Sequence, residues 1–515
     1  MYIFYWLAFV FFIGVLYVGI RLIPKIIRNT GFQTSEYKNT DSNTTSSSLS
    51  ALIKSIFLSI GNAGKQLLSI YFYFRLLARR YITPRKFPDK RSRPFIVGIT
   101  GSVGKTSGRT IITTILKKYF PKRKIYTSPK NFNGEFGLSL SILGIDSYSP
   151  NIFGVMRVLI LGTFRAFFGT KKYDIIVLEY GIDHEGEMKF LLSIAVPDIA
   201  IITKIDRVHS QQFGDIATIA REKYALLSHA TRYAFFNSED DFFEKYHKIS
   251  PITNFVYDAR NTFTKGVDIG IHSTEYEFQT NIIQSSSLLK IGNTSLKFLT
   301  SLPKENIVYA AIGLKIVELL CPFFQQQNPL KTMQKLELNF DLQPSRFSRF
   351  DGIEKSIIFD STYNASPESM LKVCQNFLEI QKKLFPKYTP ILCLGDMREL
   401  GKYTQDAHEN IANRLAQNPC TILLVASMKQ YVLPKIPEAQ HFPNAQELGI
   451  YLKDFLQKNT QKKYIVLLKG SQNTIFLEEA VKAILKNPDD SKKLCRQEKF
   501  WLKKKETYFD QYTKK

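Results

Sequence analysis

A chain of 515 residues is too long for a single hydrophobic core and suits two or three domains. With 44% hydrophobic and 22% charged residues it is globular, which excludes wholesale disorder and a polytopic membrane protein. A formal charge of +25 asks for an anionic partner: nucleic acid, an anionic lipid surface or a phosphate-rich substrate.

Residues 1 to 20 (MYIFYWLAFVFFIGVLYVGI) carry no charged side chain. A helix of that length reaches roughly 30 Å, the thickness of a bilayer's hydrocarbon core. The positive charges Arg21, Lys25 and Arg28 follow the run, whereas a cleaved signal peptide has them before it. The spacing therefore predicts an uncleaved anchor over 1–32, with the N-terminus outside and the remainder in the cytoplasm. Residues 33 to 93 read as a polar Ser/Thr/Asn linker and a basic amphipathic neck, LLSIYFYFRLLARRY, that suits a membrane surface or an ordinary core. Residues 1 to 93 hold 14 Lys/Arg against 3 Asp/Glu, which favours anionic lipid as their partner. No nucleic-acid module is recognisable, so nucleic acid is not expected as a partner.

Residues 95–97 (FIV) predict a short buried strand that leads into GITGSVGKTSGRTIITTIL. A strand, a glycine-rich turn and a helix opened by Lys-Thr-Ser hold a polyphosphate through backbone N–H groups and the helix dipole. Gly101, Ser102, Val103, Gly104, Lys105, Thr106 and Ser107 form this loop. Lys105 suits the β- and γ-phosphates, and the Thr106 hydroxyl suits Mg²⁺. Ile99 stands where the general G-x-x-x-x-G-K-[ST] pattern has its first glycine. Further on, NIFGVMRVLILGTFRAFFG (151–169) is apolar but broken by Arg157 and Arg165, which suits a membrane-docking amphipathic hairpin or helix, or a core helix. IIVLEYG (175–181) and DIAIITKID (198–206) read as buried parallel strands, whose carboxyl ends carry active sites in such sheets. Glu179, Asp206 and His209 fall there, as hard-metal ligands or as structural polar residues. The five cysteines (Cys321, Cys374, Cys393, Cys420, Cys495) form no C-x-x-C, which argues against a disulfide scaffold and a zinc site.

Taken in order, several blocks resemble the Mur ligases, the ATP-dependent amide-bond ligases of peptidoglycan synthesis. They are GITGSVGKTS, TSPKNFNGEFGLSLSILGI (127–145), VLEYGIDHEGEMKFL (177–191), PDIAIITKIDRVHSQQFGDIATIAREK (197–223), FDSTYNASPESM (359–370), ILCLGDMRELG with His408 (391–408), and VLLKGSQN (466–473). The resemblance covers about residues 95 to 485. It implies an α/β architecture: a P-loop central ATPase domain over 94–335 with a mostly parallel sheet, then a Rossmann-like α/β ligase domain over 336–486, followed by a basic tail at 487–515. Y-N-A-x-P and L-G-D-M-x-E-L-G are most similar to the branch that adds D-alanyl-D-alanine to a UDP-muramoyl tripeptide.

The resemblance also implies roles. ATP and Mg²⁺ are the expected cofactors, with Lys105 and Thr106 on the phosphates and metal, and Glu179 and His209 as metal ligands. Lys223 falls where several Mur ligases carry a carbamylated lysine. Arg346 matches an arginine that reaches the γ-phosphate, Asp360 an aspartate near the nucleotide, and Asn306 the first asparagine of a cofactor-binding H-N-x-x-N segment. Asn364 and Ser366 match the substrate-side loop, and Asp396, Glu399, His408 and Lys469 match positions that face the incoming amine. The partners expected are a carboxylate-bearing muramoyl peptide and an amino acid or dipeptide. Tyr309 replaces the family's second asparagine, and the anchor and neck stand where the family has a uridine-nucleotide domain. Two other readings stay open: a membrane-anchored poly-amino-acid synthetase and a catalytically silent nucleotide-binding scaffold.

Overall fold

The computed structural model describes residues 72–82, 93–128, 132–147, 152–168, 173–206, 213–248, 252–257, 276–281, 286–291, 294–298, 304–327, 335–338, 344–418, 420–471 and 475–513. The expected anchor and linker, part of the neck and His209 lie outside the described residues. Among the described residues no helix is long and apolar enough to cross a membrane. The chain divides into two compact units: residues up to 93 with 134–172 and 193–195, and residues 94–133 with 173–192 and 196–515. Residues 134–172, expected inside the central domain, thus group with the N-terminal segment.

In the first unit the apolar run forms one continuous helix, Ile152–Phe168, rather than a hairpin. Gly162 lets the helix at 72–82 approach: a Cβ there would lie 3.0 Å from Phe74 and 3.5 Å from Leu77. Phe74 in turn meets the edge of Phe136 at 5.0 Å. Leu76, Ile160, Phe164 and Phe168 are left exposed.

The second unit is built on two parallel sheets and a small mixed one. In the first, β1 (Phe95–Thr100), β2 (Ile125–Thr127), β3 (Ile175–Glu179), β4 (Ile199–Ile202), β5 (Tyr233–Asn237) and β6 (Thr253–Tyr257) lie in the order β2-β3-β1-β4-β5-β6. All neighbours are parallel. Continuous burial of Ile175–Glu179 and Ile199–Ile202 explains their unbroken apolar sequences, because helices cover both faces of such a sheet. Helix α1 (Lys105–Tyr119) and helix α3 (Lys304–Leu320) share the core on one face, with α2 (Ile216–His229) between β4 and β5 in the chain. The small sheet pairs β7 (Tyr276–Asn281), β8 (Ser286–Ile291), β9 (Thr294–Phe298) and β10 (Lys335–Leu338). The expected domain boundary at 335/336 therefore falls inside a strand.

The last sheet has the order β11-β12-β16-β13-β14-β15, with β11 (Ser348–Asp351) antiparallel to β12 (Ile357–Ser361). The others, β13 (Tyr388–Gly395), β14 (Thr421–Val425), β15 (Gln440–Phe442) and β16 (Lys463–Lys469), are parallel. One face is packed by α4 (Pro367–Leu384) and α5 (Thr404–Leu415), the other by residues such as Leu448 and Leu452 with α6 (Glu478–Ile484). The tail is part of this domain. From α7 (Lys499–Thr513), Trp501, Tyr508 and Phe509 meet Phe476 with ring centres 5.4–6.4 Å apart.

Candidate active site

In both sheets chain order reverses beside a central strand, so the carboxyl ends of β1, β3 and β4, and of β12, β16 and β13, open crevices. The expected site residues follow those strand ends.

After β1 the loop turns on Gly101 (φ 139°) and Gly104 (φ 91°), a backbone region that side chains rarely enter. A Cβ on Gly101 would sit 1.9 Å from the Thr203 hydroxyl, so the loop can close only on glycine. Thr203, which sequence reasoning passed over, donates to the carbonyls of Thr100 (3.1 Å) and Val103 (2.5 Å). Ser102 does not aim at a ligand. Its N–H donates to the Lys204 carbonyl at 2.6 Å and its hydroxyl to the Asp206 carbonyl at 3.1 Å. The hydroxyl of Tyr309, on α3, lies against Gly104, and its ring lies 3.3 Å from where a Cβ on Gly108 would be. Asn306 lies on the same helix.

Four cations, Lys105, Arg109, Lys223 and Arg346, crowd the region of Glu179, with Asp183 acting on both lysines and Glu187 on Lys223. Thr106, in the first turn of α1, donates its hydroxyl to Glu179 Oε2 at 3.2 Å. Arg109, one turn along, forms a buried ion pair with Glu179 Oε1 at 3.1 Å, without the alignment of a hydrogen bond. Lys105 folds its ammonium onto the carbonyls of Gly101 (2.6 Å) and Ser102 (3.3 Å). Lys223, 1% exposed on α2, reaches the same Gly101 carbonyl at 3.2 Å. Burial lowers the Lys105 pKa, Glu179 opposes that, and Arg346 adds to it. Burial, and then the Lys105 charge, hold Lys223 well below the usual lysine range. Such crowding is stable only where an anion is expected.

Arg346 reaches this cluster from the turn before β11 and lies 4.4 Å over the ring of Tyr363. Its neighbours Ser345 (φ 60°) and Phe347 (φ 67°) both adopt left-handed backbone conformations, which cost about 1–2 kcal/mol each for such residues. Ser345 is held by its hydroxyl, which donates to Asp360 Oδ2 at 2.6 Å. Asp360 differs from its expected role. It is fully buried, its other oxygen accepts from the N–H (3.0 Å) and hydroxyl (2.7 Å) of Thr362, and it holds the Arg346 segment rather than a nucleotide.

The ends of β12, β13 and β16 are stitched together. Lys469, buried, donates to the Asn364 carbonyl at 2.9 Å, and burial lowers its pKa to about 8. Ser471 donates to the Ala365 carbonyl at 3.1 Å and accepts from Arg398 N–H at 3.0 Å. Asn364 is exposed at the loop tip. Glu399 adopts φ 63°. Asp396 accepts from Ser427 through Oδ2 (2.5 Å), while its Oδ1 is buried with no hydrogen-bond partner. Two expected substrate contacts are structural instead. Ser366, 3% exposed, caps α4 in a reciprocal pair with Ser369. His408 is 1% exposed: Nε2 accepts from Met397 N–H (3.0 Å), and the hydrogen bonds assign the proton to Nδ1, which faces the Thr404 carbonyl at 2.7 Å. Burial lowers its pKa, so it stays neutral and shapes the 396–399 loop. The two sheets meet through Lys204–Glu368 and through Lys372, 3.1 Å from Glu368 and 3.6 Å from Glu239.

Comparison with known proteins agrees with this geometry. Residues 99–312 match the Mur ligase middle domain. UDP-N-acetylmuramoyl-tripeptide--D-alanyl-D-alanine ligase of Buchnera aphidicola is 28% identical over 421 residues, 79% of each chain. The Escherichia coli enzyme of the same name is 23% identical, over 76% of this chain and 77% of that one. In fold, the chain is similar to a crystal structure of MurF from Acinetobacter baumannii (TM-score 0.59, 18% identity, 79% of each chain). It is also similar to MurF from Thermotoga maritima in complex with ADP (TM-score 0.57, 19% identity, 80% of this chain and 83% of that one). The chain is thus similar to Mur ligases in its middle domain and shares the fold of MurF structures.

Burial raises the Asp360 pKa from 3.8 to about 6, so the folded state prefers the protonated acid. Its contribution to stability is present below pH ~4 and lost as pH rises through ~6. In Asp360→Asn, unfolding midpoints measured from pH 4 to 7 should lose that decline. A variant profile parallel to the wild type would show that Asp360 titrates alike in both states.

Proposed function

We propose that this chain joins D-alanyl-D-alanine to a UDP-muramoyl tripeptide. Its similarity to Mur ligases supports the class of the reaction, an ATP-dependent ligation that forms a C–N bond. The observation that carries the reading is that Arg346, in the turn before β11, comes near enough to Lys105 of the phosphate loop for its charge to lower the Lys105 pKa. A crevice with both can hold a polyphosphate between two domains, and the amine-side loops 364–366 and 396–399 belong to the second of them.

The residues present fit Mg-ATP. Thr106 and Glu179 offer hard oxygen donors, and the buried cationic excess matches a polyphosphate. When bound, Mg-ATP supplies the phosphoryl group that converts the substrate carboxylate to an acyl phosphate, from which the amine displaces phosphate to give amide and ADP. Lys105 and Arg346 neutralise charge on the transferring group, and Arg109 holds Glu179 oriented toward Thr106. Lys469 and Ser471 fix the backbone of the 364–366 loop, and Asp396 Oδ1 is a free buried acceptor for an ammonium. A neutral Lys223 amine is the form that reacts with CO₂, which supports a carbamate at this position.

Membrane attachment is a further part of the proposal. The charge-free run at 1–20 supports it, as do the exposed Leu76, Ile160, Phe164 and Phe168 with the exposed Arg79, Arg80 and Arg157 in the first unit.

Phosphate release from Mg-ATP should rise when UDP-muramoyl tripeptide and D-alanyl-D-alanine are added together, and Lys105→Ala should lower it at least ~100-fold. Stimulation by glutamate with polymer formation would instead identify a poly-amino-acid synthetase. Turnover should fall in CO₂-depleted buffer and recover with bicarbonate, whereas Lys223→Arg should be slow in both; indifference of the wild type to CO₂ would exclude the carbamate. Purified full-length chain should float with vesicles containing anionic lipid, and Phe164→Glu with Phe168→Glu should reduce that binding several-fold. Equal flotation of wild type and variant would exclude this face from membrane contact.

A further inference from the structure

The basic tail carries two residues that reach into the site. Arg496, 7% exposed, grips the fully buried Glu478 with two bonds, Nε to Oε1 at 2.8 Å and Nη2 to Oε2 at 2.6 Å. It then donates to the backbone of the loop after β12: Nη2 to the Thr362 carbonyl at 2.7 Å and Nη1 to the Tyr363 carbonyl at 3.1 Å. Tyr363 is the ring on which the Arg346 guanidinium rests. The preceding tail residue acts on the same place from the other side. Cys495 N–H donates to the Ser345 hydroxyl at 3.1 Å, and the Ser345 carbonyl accepts from Tyr363 N–H at 3.2 Å. Arg346 is thus flanked by two segments that the tail fastens together.

The anchoring is strong. Glu478 opens α6, and Lys505 lies 2.9 Å from it and 2.7 Å from Glu479. Burial alone would raise the Glu478 pKa, but Arg496 and Lys505 outweigh burial and hold it below the usual range. Arg496 takes φ 56°, like Ser345 (φ 60°) and Phe347 (φ 67°), so three residues in unfavourable backbone conformations meet in one network. Planar, bidentate binding of a carboxylate with remaining N–H groups left for carbonyls is possible for arginine and not for lysine.

We infer that Arg496 is a positioning residue for phosphoryl transfer: the tail braces Tyr363 and Ser345, and through them sets where the Arg346 guanidinium sits. Both parts of this inference rest on the proposed placing of Arg346 against the γ-phosphate; only the kcat part also rests on the ligase substrates. A buried ion pair removed as a pair spares the fold from an unpaired charge. The test therefore uses the full chain with Glu478→Gln and Arg496→Met together, Lys505 keeping Glu479 as its partner. The double variant should melt close to the wild type. Its affinity for a non-hydrolysable ATP analogue should weaken about tenfold, while its affinity for ADP, which lacks the γ-phosphate, should stay within about twofold. Its kcat for ligation should fall about 10–100-fold, as for a misplaced catalytic group. Wild-type ratios of analogue to ADP affinity would overturn the brace, as would equal weakening of both. If the double variant does not fold, Arg496→Lys carries the same readout, because lysine pairs with Glu478 but cannot hold two carbonyls as well; a wild-type ratio there overturns the inference. A wild type that binds nucleotide but never ligates, with the ratio shifted in the variant, would retain the brace and remove the substrate reading.

Discussion

The structure depends on an imbalance of buried charge. Lys105, Arg109, Lys223 and Arg346 crowd one buried region in which Glu179 pairs with Arg109 and Asp183 and Glu187 offset Lys223 only in part, and two of the cations share one carbonyl, that of Gly101. Cations out of water without counter-charges are costly, and their mutual repulsion is poorly screened in a buried site. The fold maintains that unfavourable state with rigid parts: parallel strands on both sides of β1, a loop that only glycine can close against Thr203, and Tyr309 against the first turn of α1. A polyphosphate relieves the imbalance. The same excess of buried positive charge therefore selects a polyanionic ligand.

The second half of the crevice is organised differently, by hydrogen bonds from buried side chains to backbone. Lys469, Ser471 and His408 each fix a main-chain group in a loop after a strand. Such contacts leave the loop tips, Asn364 and Glu399, oriented while their supports stay hidden. A site held this way does not have to reorganise when the amine arrives, which is where preorganisation contributes to rate. It also explains why the side chains most deeply buried here are not those that meet a substrate.

The phosphate loop was legible because its chemistry is local: glycines, lysine and threonine within seven residues, after an apolar strand. The buried strands at 175 and 198 were legible for the same reason, since burial on both faces writes an unbroken apolar run. Lys223 and Arg346 could be assigned only through family resemblance, because Lys223 meets Gly101 across 122 residues of chain. That Asp360, Ser366 and His408 are buried in structural hydrogen bonds was not legible, because residue type does not reveal which way a polar group faces. In Ser366 a local signal existed, a serine before Pro-Glu-Ser at a helix start, with Ser369 rather than glutamate completing the capping box. Arg109 and Ser471 lay inside quoted blocks, but nothing in their spacing marked them.

Charge arithmetic misleads most where the partner is internal. From Lys486 onward the chain has ten Lys/Arg against five Asp/Glu, which reads as a surface address. Yet Arg496 and Lys505 are buried on Glu478 and Glu479, and the ring contacts of α7 with Phe476 fasten the segment to the last sheet. A cation paired inside a protein adds little to the outer field, because its nearest countercharge travels with it. The same holds for Arg109. Lys105 and Lys223 lie among carboxylates that offset them only in part, which leaves them to an anionic ligand. What remains to act on a surface is the excess of 14 Lys/Arg over 3 Asp/Glu in residues 1 to 93 and the exposed Arg157. A net charge of +25 is thus three different quantities, and only the third can act on a partner outside the protein.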